Sequence, residues 1–359
     1  MSLRALLDAL PIPILQAPMA GATTGVIALA VSRAGGLGSL AGAALAPDDL
    51  EAEVLRLKRE TDQPFGVNLL MAPPATPEAG EVKAALARLA PWYAAVGAPL
   101  PAAPNRYSHD FKAQLAAVVR AGPPVASFAF GVLERSEVEA LQAAGSYVLG
   151  TANTVAEARA WAAAGADGIC AQGFEAGGHR GNFLAELDAS LVGTLALVAT
   201  VRAAVDLPVI AAGGIMDGRG VAAVLALGAS AAQMGTAFLL ADEAVTSTPW
   251  RGAIEAAPDD PTRLTRAFSG RYARGIENRF MREMRGVEDA VPAYPVQNRL
   301  TQPLRTAAEM AGDPELMSLW AGQGVTLARP GEAEAMLTRW WAEAREASAA
   351  LAARTGRGV

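Results

Sequence analysis

Pro208-Val209-Ile210-Ala211-Ala212-Gly213-Gly214-Ile215-Met216-Asp217-Gly218 decides the fold. Its first five residues are short, apolar and uninterrupted, the pattern of a strand buried on both faces, as in a parallel sheet covered by helices. The paired glycines then let the chain turn with its backbone exposed to whatever lies above the strand end. The same unit recurs on both sides. Upstream, strands are expected at Ile12–Gln16, Gly36–Leu40, Phe65–Leu70, Pro124–Phe128, Tyr147–Gly150 and Asp167–Ala171, and downstream at Ala231–Met234. Ala-rich helices are expected between them near Thr24–Ala34, Pro47–Glu60, Arg135–Ala144 and Val155–Ala164. Eight strand–helix units within about 250 residues give an α/β fold of the (β/α)8 TIM-barrel type. A doubly wound open sheet fits less well, because Gly35-Gly36-Leu37-Gly38 precedes a strand instead of opening a helix.

Two stretches break the rhythm. APPATPEAG (72–80) and APLPAAPNRY (98–107) fill the long gap after the third strand, and 246–313 follows the eighth and carries many arginines. The expected division is a barrel of residues 1–71, 122–245 and 320–359, with 72–121 and 246–319 forming a smaller, mostly helical cap or substrate domain. Residues 320–359 read as closing helices.

Composition narrows the function. The chain has 359 residues, 52% of them hydrophobic and only 18% charged, with net charge −6. There is no basic stripe, so nucleic acid is not an expected partner. No apolar run approaches a membrane span and the N-terminus lacks a signal pattern, so a cytoplasmic protein is expected, as monomer or homodimer. Cys170 is the single cysteine, excluding an internal disulfide, and the two histidines, His109 and His179, are too few for a His-rich metal site.

In a barrel, chemistry lies where strands end. The first strand ends at Ala17, Pro18 and Met19; the third holds Asn68; the sixth ends at Gln172; the seventh at Gly213 and Gly214; the eighth at Gln233, Met234, Gly235 and Thr236. The last two loops read as an anion corner, with glycine backbone and a helix start offering amides to a phosphate. A phosphate corner with no second nucleotide motif favours FMN over NAD. The amides of Asn68 and Gln172 suit the polar edge of an isoalloxazine ring, and Met19 its face.

The sharpest signal is QGFEAGGHRG (172–181). His179, bracketed by Gly177, Gly178 and Gly181, lies on backbone able to approach a ligand closely, and imidazole moves protons near neutral pH. Glu175 either orients His179 or is solvated. His109 has no such context.

QAPMAG (16–21), GVNLL (66–70), QGFEAGGHRG, PVIAAGGIMDG (208–218), QMGTAF (233–238) and SLWAGQG (318–324) together resemble the nitronate monooxygenase family, formerly 2-nitropropane dioxygenase. The resemblance implies oxidation of an alkyl nitronate, such as propionate 3-nitronate, or of a nitroalkane by O2 to a carbonyl compound and nitrite. It implies a flavosemiquinone on FMN and His179 as the catalytic residue, with no metal. It also implies that Tyr107 and Tyr294 close the substrate pocket. One departure is Ala129, where the family pattern has a histidine. The competing reading is an FMN-dependent NAD(P)H oxidoreductase of the quinone reductase or enoyl-ACP reductase type, which also uses a Gly-Gly-His loop.

Overall fold

The continuous apolar runs become eight parallel strands, and their register closes a barrel. The computed structural model describes residues 2–72 and 74–356. A short helix α1 (Leu3–Asp8) leads into β1 (Ile14–Gln16), α2 (Gly25–Arg33), β2 (Gly38–Ala41), α3 (Pro47–Glu60) and β3 (Phe65–Leu70). After α4 (Ala79–Ala95) and α5 (Phe111–Ala121), the alternation resumes with β4 (Val125–Ala129), α6 (Arg135–Ala143), β5 (Tyr147–Ala152), α7 (Val155–Ala164) and β6 (Gly168–Gln172). A two-residue strand β7 (Gly178–His179) precedes α8 (Thr194–Ala204), β8 (Val209–Ala212), α9 (Gly218–Ala226) and β9 (Ala231–Met234). The strand order is β1-β9-β8-β6-β5-β4-β3-β2. The bridge between Leu15 and Leu37 joins its two ends.

Inward-facing Leu15, Leu37, Leu149 and Ile210 share one buried cluster with Leu3 and Leu7 of α1. That helix plugs the end where the strands begin, so the barrel opens only where they end. Cys170 is in the same cluster, and burial pushes its thiol up to about 12, which leaves it inert. The helices form the outer ring. Side-chain caps start several of them: Thr24 Oγ1 accepts from Val26 N–H at 3.3 Å and Asp110 Oδ1 from Ala113 N–H at 2.9 Å. Left-handed glycines, Gly122 and Gly165, end α5 and α7.

Beyond the barrel come α10 (Thr248–Glu255), β10 (Thr262–Thr265), β11 (Ala273–Ile276), α11 (Arg279–Met284), α12 (Val296–Met310) and α13 (Ala333–Thr355). The two insertions meet: Tyr93 of α4 donates its hydroxyl to the Leu300 carbonyl at 2.7 Å, and Trp92 packs edge-on to Phe280 at 4.9 Å. Three details depart from the sequence reading. The sequence pattern places residues 111–121 in the cap, whereas α5 packs on α3 and α6 as the outer helix of the third unit. Among the described residues after 320, a 3-10 turn (Val325–Leu327) precedes a long helix, α13, which packs against α9 and α2; Trp320 itself bridges to Gly275. The cap also contains an antiparallel hairpin, β10–β11, which pairs with β7.

Among the described residues, no helix is long and apolar enough to cross a membrane, and no group of three or more His, Cys, Asp or Glu is placed to hold a metal ion.

Candidate active site

Residues from the end of β4, from the end of β6 and from the cap meet at His179. Its backbone is strand β7, with Ala273 as register partner, and the next residue, Arg180, donates its amide to Tyr272 O at 2.8 Å. The catalytic candidate is therefore stitched to the cap hairpin instead of swinging on a free glycine loop. From below, Gln172 braces the same loop: Nε2 donates to His179 O at 3.1 Å, and Oε1 accepts from Gly181 N–H and from Asn153 Nδ2, both at 2.9 Å. Fully buried Asn153 is anchored in turn through its amide to Glu157 at 2.8 Å. Glu157 also takes the Phe183 and Leu184 amides, at 2.6 and 3.0 Å.

Three aromatic rings surround the imidazole: Phe130, Tyr294 and Trp320, with centroids 5.7, 5.6 and 5.6 Å away. His179 Nε2 is buried with no hydrogen-bond partner. Burial first, and then the guanidinium charges of Arg271 and Arg305, pull its pKa down to about 3. The imidazole is neutral at physiological pH, with an unpaired nitrogen inside an aromatic cage. Burial also raises the Tyr294 phenol.

The first and eighth loops adjoin. Ala17 N–H donates to Met234 O at 2.8 Å, and a Cβ on Gly235 would lie 3.4 Å from Ala17 Cβ and 3.5 Å from Met19 Sδ. Thr236 opens a single 3-10 turn, Thr236–Phe238, instead of the expected longer helix, and its Oγ1 accepts from Gly322 N–H at 2.9 Å. In the seventh loop Gly213 and Gly214 have φ of +116° and +71°. The corner is therefore built of glycine backbone. Asn68 directs Nδ2 to Ser127 O (3.2 Å) and Oγ (3.0 Å), turning its own Oδ1 away from that pair.

Glu175 does not orient His179. Its carboxylate takes the Thr194 amide at 2.9 Å and the Thr194 hydroxyl at 2.7 Å, capping α8, while Thr194 Oγ1 also reaches Gly213 O at 3.0 Å. Glu175 thus ties the histidine loop to the glycine corner. On the other side, Gln323 N–H donates to Glu175 O at 2.9 Å, so the WAGQ segment closes over this loop.

The structure brings Tyr294 against His179, whereas Tyr107 makes none of these ring contacts; burial and the nearby Glu81 carboxylate raise its phenol. His109 makes no ring contact with the cage. Sequence reasoning missed Phe130, Arg271, Asn153 and Glu157 altogether. Trp320 was within reach, because it lies in the SLWAGQG stretch.

The family described as nitronate monooxygenase matches residues 4–341. A protein named probable nitronate monooxygenase from Staphylococcus aureus (strain Newman) is 40% identical over 327 residues, 91% of this chain and 92% of that protein. Among solved structures, nitroalkane oxidase from Streptomyces ansochromogenes is 46% identical with TM-score 0.89, over 97% of this chain and 99% of that one. FabK from Thermotoga maritima is 30% identical with TM-score 0.75, over 98% of each chain.

Proposed function

The chain belongs to the nitronate monooxygenase family, an oxidoreductase family, and from that premise we propose that it oxidises alkyl nitronates with O2, using FMN and His179. The observation that carries this reading is the buried, unpaired Nε2 of His179 inside the Phe130–Tyr294–Trp320 cage. An orphaned buried nitrogen costs about 1–3 kcal/mol, which a bound polar ligand offsets.

The residues fit a flavin mononucleotide. Gly213, Gly214, Gly235 and Thr236 would hold its phosphate through backbone amides, since the α8 and α9 starts are taken by Glu175 and Asp217. Ala17, Pro18, Met19, Gln233 and Met234 would line the ring face, with Asn68, and the second amide proton of Gln172, at its polar edge. Gly177 and Gly178 keep the His179 loop free of side chains there; a Cβ on Gly178 would meet open space. Bound FMN supplies the redox step, taking electrons from the substrate and passing them to O2.

The chain's own contribution is electrostatic. Neutral His179 offers a hydrogen bond to an NO2 oxygen, and Arg271 and Arg305 favour an anion beside it. An imidazole held near 3 is a weak base, so a nitronate that arrives deprotonated suits the site better than a neutral nitroalkane, the substrate class in the Streptomyces protein's name. Ala129, half-buried beside Phe130, leaves this wall without a further proton carrier.

An oxygen electrode with paired nitronates and nitroalkanes tests the reading: O2 uptake and nitrite release should be greater with nitronate at equal concentration. The likeness to FabK favours a second reading, an NAD(P)H-dependent FMN oxidoreductase. Rapid anaerobic bleaching of the flavin by NADH or NADPH would select it.

A further inference from the structure

Arg271 lies half-buried beside the cage, and its hydrogen bonds run to the backbone that carries His179. It leaves the turn Ser269-Gly270-Arg271, where Ser269 Oγ accepts the Arg271 amide at 3.3 Å and donates to the Arg271 carbonyl at 2.8 Å. That turn is wedged in place. A Cβ on Gly270, at φ +81°, would lie 2.1 Å from Pro292 O and 2.6 Å from Tyr294 N. From this fixed base Arg271 Nε donates to Arg180 O at 2.9 Å, Nη2 donates to Asn182 O, and the guanidinium carbon lies 4.1 Å from the Phe130 ring centroid.

Among the described residues no Asp or Glu forms an ion pair with this guanidinium. A charge drawn partly out of water is commonly matched by a carboxylate. Here two carbonyls and a ring face take its place, a geometry only a planar fork can satisfy at once. The partners matter more than their number. Arg180 immediately follows His179, and Phe130 is the ring that meets His179 edge-on at 5.7 Å. Phe130 also adopts φ +80°, a backbone state costing about 1–3 kcal/mol for a non-glycine residue, which something must hold.

We propose that Arg271 is a positioning residue for His179, fixing its backbone through the Arg180 and Asn182 carbonyls and its ring through Phe130. The proposal rests on the reading of His179 as the catalytic residue. The charged and titratable groups around the imidazole are Arg271 before β11, Arg274 on β11, Arg180 on its own segment, Arg305 on α12 and Tyr294; Glu157 faces Arg271 from α7. Loss of the charge at 271 therefore eases protonation of His179, whereas lysine preserves the charge and loses the fork.

The test uses the full-length flavin-loaded enzyme. Arg271→Lys should lower kcat roughly 10–100-fold with KM changed less than about threefold, and Arg271→Met should lower kcat at least as much while also raising KM for an anionic substrate, because it removes the charge as well as the fork. Histidine NMR provides a second readout, since the chain has only His109 and His179, and His109→Gln assigns the lines. His179 should titrate at higher pH in Arg271→Met and stay in place in Arg271→Lys. Phe130→Leu should be strongly non-additive with Arg271→Lys in a double-mutant cycle. Wild-type kcat in both arginine variants overturns the proposal, as does an unmoved His179 titration in Arg271→Met, or strict additivity with Phe130→Leu. If Arg271→Met fails to fold, the lysine variant and the cycle decide. A wild-type enzyme inactive on nitronates counts against the functional reading alone, and the titrations still judge the positioning.

Discussion

Gln172 donates its side-chain amide to the backbone carbonyl of His179 at 3.1 Å, so the residue ending β6 grips the loop that carries the imidazole. The grip includes the Gly181 amide and the Asn153 side chain. Gln172→Leu leaves the His179 carbonyl and the Gly181 amide without this partner, while Asn153 Nδ2 keeps the Gln172 backbone carbonyl at 2.7 Å, and should cost about 2–4 kcal/mol. Urea unfolding should show it, with kcat falling more than bound flavin. A variant that loses neither stability nor kcat would mean the brace is idle.

His179→Asn should keep the flavin bound and lower nitronate turnover at least about 100-fold, since the shorter asparagine amide fits the cage but does not reach the position of the imidazole Nε2. Flavin absorbance and oxygen uptake measure the two separately. Undiminished turnover would remove His179 from the chemistry.

Stability should depend on pH through the same residue. In the fold His179 is held near 3, against the ordinary 6.5. Between these values the unfolded chain binds a proton that the folded chain refuses, so stability should fall as pH drops from about 6.5 towards 3 and be flat above that window. Comparing urea midpoints of wild type and His179→Asn at pH 5 and 7.5 isolates the effect. Equal pH slopes would contradict it.

Adjacent glycines should respond differently to alanine. A Cβ on Gly177 would lie 2.5 Å from Gly322 N and 2.6 Å from Ala321 C, both backbone, so Gly177→Ala forces the WAGQ segment off the loop. Gly178, at φ +71° with open space around its missing Cβ, incurs only backbone strain of about 1–2 kcal/mol. Flavin retention should collapse in the first variant and persist in the second. The reverse order would place the ligand on the Gly178 side.

Glu175→Gln weakens the α8 cap and should destabilise by about 1 kcal/mol, with Thr194→Val similar and the pair non-additive. Additivity in thermal melts would show that the two residues act separately.

The barrel was legible because its strands are buried on both faces: Val209–Ala212 has no exposed position, so the run needs no alternation to be recognised. The loops at the strand ends were legible for the same reason, being glycines where apolar runs stop. The hairpin that captures His179 was not. β7 has two residues, and β11 reads Ala-Arg-Gly-Ile, with its arginine turned inward onto Phe174 O instead of outward to solvent. Phe130 and Arg271 lie far apart in sequence, and no local pattern announces their meeting. Glu175 was ambiguous for a related reason, because its partner Thr194 lies on the next helix.

The helix at the very start of the chain has one more consequence. With Leu3 and Leu7 packed among the inward-facing residues, the barrel is closed at the end where its strands begin. On the proposed reading, substrate, O2 and products would share the mouth beneath the cap, so each turnover would empty by the door through which the next begins.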